Sequence, residues 1–151
     1  MHSTVSIISR LKLDFPSLSF KKGNSFAWSP SENTVYYDKD GKDATYLVLH
    51  ETAHGLLGHT NYSKDIELIG MERQAWEKAA EIAKKYDVTI DEETVQSNLD
   101  SYRDWLHARS TCPNCTATGV QETKNTYTCL ACGHKWRVNE ARVCGLKRYK
   151  I

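Results

Sequence analysis

Long apolar runs are missing from this sequence. Nothing in it approaches the roughly 18 to 20 residues that a membrane-spanning helix needs, so no membrane partner is expected. The N-terminus also lacks a charged region leading into an apolar stretch and a small-residue cleavage site, and the expectation is a cytoplasmic protein. There is no internal repeat and no low-complexity tract, which argues against a repeat architecture. Cysteine is sparse and odd in number. Four of the five cysteines form two C-x-x-C pairs, which in a reducing compartment are metal ligands and not a disulfide framework; Cys144 is left over as a free thiol. Net charge is nearly absent at +1, but it is unevenly spread. Residues 110–151 hold seven basic residues (Lys124, Lys135, Arg137, Arg142, Lys147, Arg148, Lys150) against Glu122 and Glu140, a net of +5, which leaves −4 for the first 109. The C-terminal piece is therefore compositionally distinct. With 151 residues and 40% hydrophobic content, the chain suffices for one ordinary core and a small satellite module.

What is present is organised around residues 46–59, where the pattern H-E-x-x-H lies inside an apolar run of helical character flanked by Leu47, Val48, Leu49, Leu56 and Leu57. Positions four apart share a helix face, so His50 and His54 can offer their imidazoles to one metal ion. Glu51 is rotated by about 100° and is placed to reach a water on that metal instead of ligating it. Two histidine ligands, a carboxylate base and an open position are the parts of a zinc peptidase site. The alternative is a buried helix whose two histidines are satisfied by hydrogen bonds.

A second helix is expected over residues 65–86. Stepping about 100° per residue from Glu72 puts Ile69, Trp76, Ala79, Ala83 and Tyr86 on its side, with Glu67, Glu77, Lys78, Glu81, Lys84 and Lys85 opposite. Glu72 thus stands alone in an apolar stripe, where an ionised carboxylate needs a cation. It is the candidate third ligand, the alternative being a buried ion pair with Arg10, Arg73 or Arg103. His59, five residues after His54, is its rival for that role; otherwise it is a supporting or surface histidine. Asp65 is expected to cap this helix.

Elsewhere the spacing of Val5, Ile8 and Leu11 predicts a helix over 3–13, stopped by Pro16. Leu18-Ser19-Phe20, Ser25-Phe26-Ala27-Trp28 and Thr34-Val35-Tyr36-Tyr37 predict a small antiparallel sheet, with an extended substrate expected along the Thr34–Tyr37 strand if that is the sheet edge. The H-E-x-x-H helix should start near Asp43 and end at Gly58. Thr89 and Glu92 have the form of a capping box, opening a helix that runs to about Arg109 with Val95, Leu99, Tyr102 and Leu106 on its core face. Tyr102 and His107 are candidates for stabilising an oxyanion or are plain packing and surface residues.

Cys112-Pro113-Asn114-Cys115 and Cys129-Leu130-Ala131-Cys132 supply four thiolates for a closed, structural zinc site, and Thr126-Tyr127-Thr128 is expected as a strand of a zinc ribbon. His134 could replace one cysteine or lie at the knuckle surface.

The H-E-x-x-H helix after a short sheet, followed by Met71-Glu72-Arg73-Gln74-Ala75-Trp76, resembles the ImmA/IrrE (DUF955) metallopeptidases over roughly residues 15–87. That resemblance implies His50, His54 and Glu72 as zinc ligands, Glu51 as general base, and cleavage of a regulatory protein. The combination of H-E-x-x-H with a C-terminal cysteine module is also similar to SprT-like proteases, which act on DNA-bound proteins. The expectation is an α+β chain, with a zincin-like peptidase domain at 1–109 and a zinc ribbon with a basic tail at 110–151. It would hold one catalytic and one structural zinc and act on a protein or peptide, with nucleic acid as a candidate partner of the basic ribbon. The competing class is a non-catalytic zinc-binding regulator.

Overall fold

The first helix begins where Ser3 can accept a hydrogen bond from the Ser6 N–H through its hydroxyl, the standard way to satisfy a free helix-start donor. The computed structural model describes residues 3–38, 40, 43–141 and 146–151. Arg142 and Cys144 therefore lie outside the described residues. The chain is α+β and divides into two units: residues up to 60 together with 71–95, and residues 61–70 together with those from 96 onward.

In the first unit, α1 (Thr4–Asp14) forms where the spacing of Val5, Ile8 and Leu11 predicts a helix, but its buried face is Ile7, Ile8 and Leu11, and Val5 is exposed. Strands β1 (Ser19–Lys22), β2 (Ala27–Ser29) and β3 (Thr34–Tyr37) form a sheet in the order β1-β3-β2. The sheet is mixed and not antiparallel throughout, because β1 pairs β3 in parallel, Phe20 opposite Val35, while β2 pairs it antiparallel, Trp28 opposite Val35. The Thr34–Tyr37 strand is consequently the central one, with both of its edges already paired, so no extended substrate can add to it. The open edges belong to β1 and β2. Helix α2 (Ala44–Leu57) follows, and Gly58 ends it in the left-handed conformation at φ 68°. Val48, Leu49 and Ala53 of α2 are buried, as are Val35 and Phe20 from the sheet.

Helix α3 (Asp65–Ala83) places its residues from Met71 onward in the first unit, where Ala75, Trp76, Ala79, Ile82 and Ala83 are buried, and a 3-10 turn over Lys84–Tyr86 completes it. Helix α4 (Glu92–Ser110) starts at Asp91, not at the Thr89 expected from the capping-box pattern. The Asp91 carboxylate accepts from the Glu93 N–H (3.2 Å) and the Thr94 hydroxyl (3.4 Å), so a carboxylate closer to the first turn takes the cap.

The second unit holds β4 (Val120–Thr123), β5 (Thr126–Thr128), β6 (Lys135–Val138) and β7 (Arg148–Lys150) as an antiparallel sheet in that order. Cys112, Tyr127, Cys129, Trp136 and Val138 form a small hydrophobic cluster in this unit. Asp65 lies here, fully buried. It is not the expected helix cap: it accepts from Arg109 Nε at 2.7 Å and from the Tyr127 hydroxyl, while its own N–H donates to Gln121 Oε1 at 2.7 Å. A buried guanidinium offers this carboxylate more than the first-turn amides could.

Among the described residues, no helix is long and apolar enough to cross a membrane.

Candidate functional site

Helix α2 is placed by a close approach. A Cβ at Gly55 would stand 3.0 Å from the Trp28 ring and 3.3 Å from Leu18, so any larger residue would push these side chains back by a few tenths of an ångström. The approach has a chemical consequence, because the Trp28 backbone N–H donates to the Glu51 carboxylate. One helical step away, the side chains of His50 and His54 turn toward the same point, buried at 5% and 7% exposure.

Glu72 of α3 completes the convergence. His50 Nε2 and Glu72 Oε2 are 2.7 Å apart, His54 Nε2 and Glu72 Oε1 are 3.2 Å apart, and the two Nε2 atoms are 3.2 Å from each other. The carboxylate offers only lone pairs and each neutral imidazole only one N–H, so three groups this close must share protons or a cation between them. Electrostatics agree. Burial alone would raise the Glu72 pKa, but hydrogen bonds to His50 and His54 outweigh it and hold the carboxyl far below the usual range. Burial works against the charged form of His54, yet the Glu72 hydrogen bond and charge raise its pKa. Glu72 pairs with neither Arg10, which donates to the Lys85 carbonyl, nor Arg103, which pairs with Asp100.

Glu51 joins His50 and His54 in a set whose donor atoms lie within 4.8 Å of one another and could hold a metal ion. It is half-buried. Desolvation raises its pKa, opposed by the charges of His50 and then His54. A carboxyl whose burial favours its protonated form, beside a set that could hold a metal, has the properties of a group that can exchange a proton.

His59 sits on the far side of His54. Its Nδ1 lies 2.9 Å from Nδ1 of His54, the nitrogen that points away from Glu72, and its Nε2 lies 3.1 Å from Gln74 Oε1. His50 is held differently: its ring stacks on Trp76, with centroids 4.1 Å apart and planes inclined by 20°, and its buried Nδ1 has no hydrogen-bond partner among the described residues. Gln74, Trp76 and Trp28 are the contributors that sequence reading missed. Trp76 carried a signal, one helical turn beyond Glu72 on the same face. Gln74 and the Trp28 amide carried none, since their roles follow from contacts between elements. Tyr102 and His107 belong to the second unit, Tyr102 half-buried and His107 exposed.

The other candidate centre is in the second unit. Cys112, Cys115, Cys129 and Cys132 keep their sulfurs within 4.8 Å of one another, with Cys112 and Cys132 3.7 Å apart and Cys115 and Cys129 3.5 Å apart, too far for disulfides. The two knuckles repeat one device. Thr116 N–H donates to the Cys112 carbonyl and Gly133 N–H to that of Cys129, and both residues have positive φ. The Cys132 thiol is lowered to about 6, first by a backbone hydrogen bond from His134 and then by the Asn114 side chain. Cys115, against a lowering backbone hydrogen bond from Ala117, is pushed up to about 12 by its contacts with the other thiols, Cys129 first. The lowered Cys132 thiol suits the thiolate that a metal site of this kind requires. His134 is outside this cluster, its ring beside Trp136 at 6.4 Å between centroids.

Two sets of residues that could hold a metal ion are thus assembled, one of histidine and carboxylate and one of four cysteines. Compared with known proteins, the chain matches no family model, no curated protein and no solved structure.

Proposed function

We propose that the chain is a zinc-dependent metallopeptidase of the H-E-x-x-H type, zincin-like in its first unit and with a structural zinc ribbon in its second. Its substrate is a protein or peptide, and a regulatory protein in view of the resemblance to the ImmA/IrrE enzymes. The observation that carries this reading is the meeting of His50 Nε2, His54 Nε2 and the Glu72 carboxylate at 2.7–3.2 Å, with Glu51 beside them. Ligand atoms about 2.0–2.1 Å from a tetrahedral zinc stand about 3.3 Å apart, and sulfurs at about 2.3 Å stand about 3.8 Å apart. Both sets fit those separations, the His50–Glu72 pair being drawn closer by its hydrogen bond.

Zinc at the first set would supply Lewis acidity toward a scissile carbonyl and a water. His50, His54 and Glu72 would bind it. Glu51, raised in pKa by burial and aimed by the Trp28 N–H, takes a proton at its carboxylate from the attacking water and delivers it to the leaving amine nitrogen. Trp76 covers one face of His50 and keeps water from it. At the second set the four thiolates leave no open position, which suits a structural role.

Elemental analysis of the purified chain is expected to find two zinc equivalents. Glu51→Gln should keep both and lose cleavage of a mixture of internally quenched peptides by about 10²–10⁴-fold, because shape survives and the base does not. Hydrolysis by that variant at the wild-type rate would overturn the mechanism.

A second reading is favoured by strands β6 and β7, where Lys135, Arg137, Arg148 and Lys150 are exposed and the Arg137 guanidinium lies 4.6 Å from the centre of the Tyr149 ring. Basic groups beside an exposed aromatic ring suit nucleic acid, as in the SprT-like resemblance. On that reading, binding to single-stranded DNA weakens steeply between two salt concentrations and drops on removal of Lys147, Arg148 and Lys150. No binding even at low salt would exclude it.

A further inference from the structure

We infer that His59 and Gln74 form a positioning pair that sets the tautomer and tilt of His54, so that its Nε2 presents a lone pair toward Glu72. The inference rests on the proposed metal reading of that site. A histidine that ligates through Nε2 must carry its proton on Nδ1, and a partner for that proton is what usually fixes such a ring. Here the partner is a second imidazole, Nδ1 to Nδ1 at 2.9 Å. Two imidazoles facing each other leave the direction of the hydrogen bond open, and Gln74 closes the choice. It turns its carbonyl oxygen to His59 Nε2 at 3.1 Å, which requires the His59 proton on Nε2. His59 Nδ1 is then an acceptor, His54 Nδ1–H the donor, and His54 Nε2 the free lone pair. The reverse assignment would set a lone pair on His59 Nε2 against the Gln74 oxygen.

The local sequence builds this arrangement. Gly58 adopts φ 68°, which reverses the chain so that His59 N–H reaches the His54 carbonyl at 3.0 Å and its ring folds back over the last turn of α2. The Trp28 indole N–H then donates to the His59 carbonyl at 2.9 Å and pins the reversed turn. His59 is thereby held at both its backbone and its ring. Among the described residues His50 has no equivalent partner on Nδ1, and its ring is stacked on Trp76, so the two histidines are held by different means.

The test is zinc affinity of the full chain at the histidine site, measured by chelator competition, with the four-cysteine site as internal reference. His59→Ala should weaken the histidine site by about 10- to 100-fold and leave the cysteine site unchanged. His59→Gln keeps an acceptor for His54 Nδ1–H and should recover most of the loss, and Gln74→Leu should show part of it. In the zinc-free protein, nitrogen chemical shifts of His54 should move from the Nδ1–H form toward a tautomer mixture in Gln74→Leu. If His59→Ala no longer melts cooperatively, Gln74→Leu and its His54 shifts decide in its place. Wild type with a filled histidine site and unchanged affinity in these variants overturns this inference alone. Wild type that binds zinc only at the cysteines overturns the metal reading as well.

Discussion

Thr116 and Gly133 each follow the second cysteine of a C-x-x-C pair and adopt nearly the same left-handed backbone, φ 67° and φ 78°. Thr116 is a β-branched residue in a region that disfavours it, and its hydroxyl donates to the Cys115 carbonyl at 2.6 Å. Gly133 holds the conformation without a side chain, and a Cβ there would meet nothing within 4 Å. Gly133→Ala therefore isolates the backbone cost, and denaturant unfolding should show a loss of about 1–2 kcal/mol in the second unit. At this scale Glu72 was legible, because a lone acid in an apolar stripe needs a cation wherever the stripe ends up. His59 was not: five residues of spacing cannot say which nitrogen of His54 it will face, and that is decided by the turn at Gly58 and by Gln74.

Among elements, the start of α3 and the end of α4 are tied by Arg109, which is 2% exposed and uses its guanidinium on Asp65, the Asn139 and Lys124 carbonyls and the Asn125 side chain. Its backbone carbonyl also accepts from the Trp136 indole at 2.9 Å. Replacing Arg109 by Met would leave the Asp65 carboxylate buried with the Tyr127 hydroxyl and without its guanidinium, a loss of about 3–5 kcal/mol. The matched double change Asp65→Leu with Arg109→Met should cost clearly less, since no charge is then stranded. Thermal melts of the two variants against the wild type check both statements. The helices themselves followed from periodicity and stop signals, as Pro16 after α1 and Gly58 after α2 illustrate. Asp65 and Thr89 were misread as caps for one reason. A cap pattern lists residues able to accept first-turn amides, while a buried arginine or a nearer aspartate competes for the position.

On the scale of the whole molecule, the hydrophobic cluster under strands β5 and β6 has five buried members among the described residues, two of them cysteines of the candidate metal set. So small a cluster gains little from apolar burial, and metal binding and folding should be one event there. Cys112→Ser with Cys115→Ser is expected to lose one zinc equivalent and to lose hydrogen-exchange protection at Tyr127 and Trp136. The amides of α2, which belong to the first unit, should keep theirs. Protection retained in β5 and β6 would show that the cluster is sufficient without metal.

The sequence by itself determined the candidate chemical groups and their local spacing: two histidines one helical turn apart, a glutamate one residue on from the first, and two cysteine pairs. Helix period and knuckle length are local properties, complete within a few residues. Tertiary structure decided what those residues face. It paired Thr34–Tyr37 on both edges, sent Asp65 to Arg109, put the Glu72 carboxylate on both Nε2 atoms and His59 on the opposite nitrogen of His54. Each of these depends on the approach of elements distant in sequence, and the packing that sets such an approach, as Gly55 against Trp28 does, is a property of surfaces that form only when the chain folds.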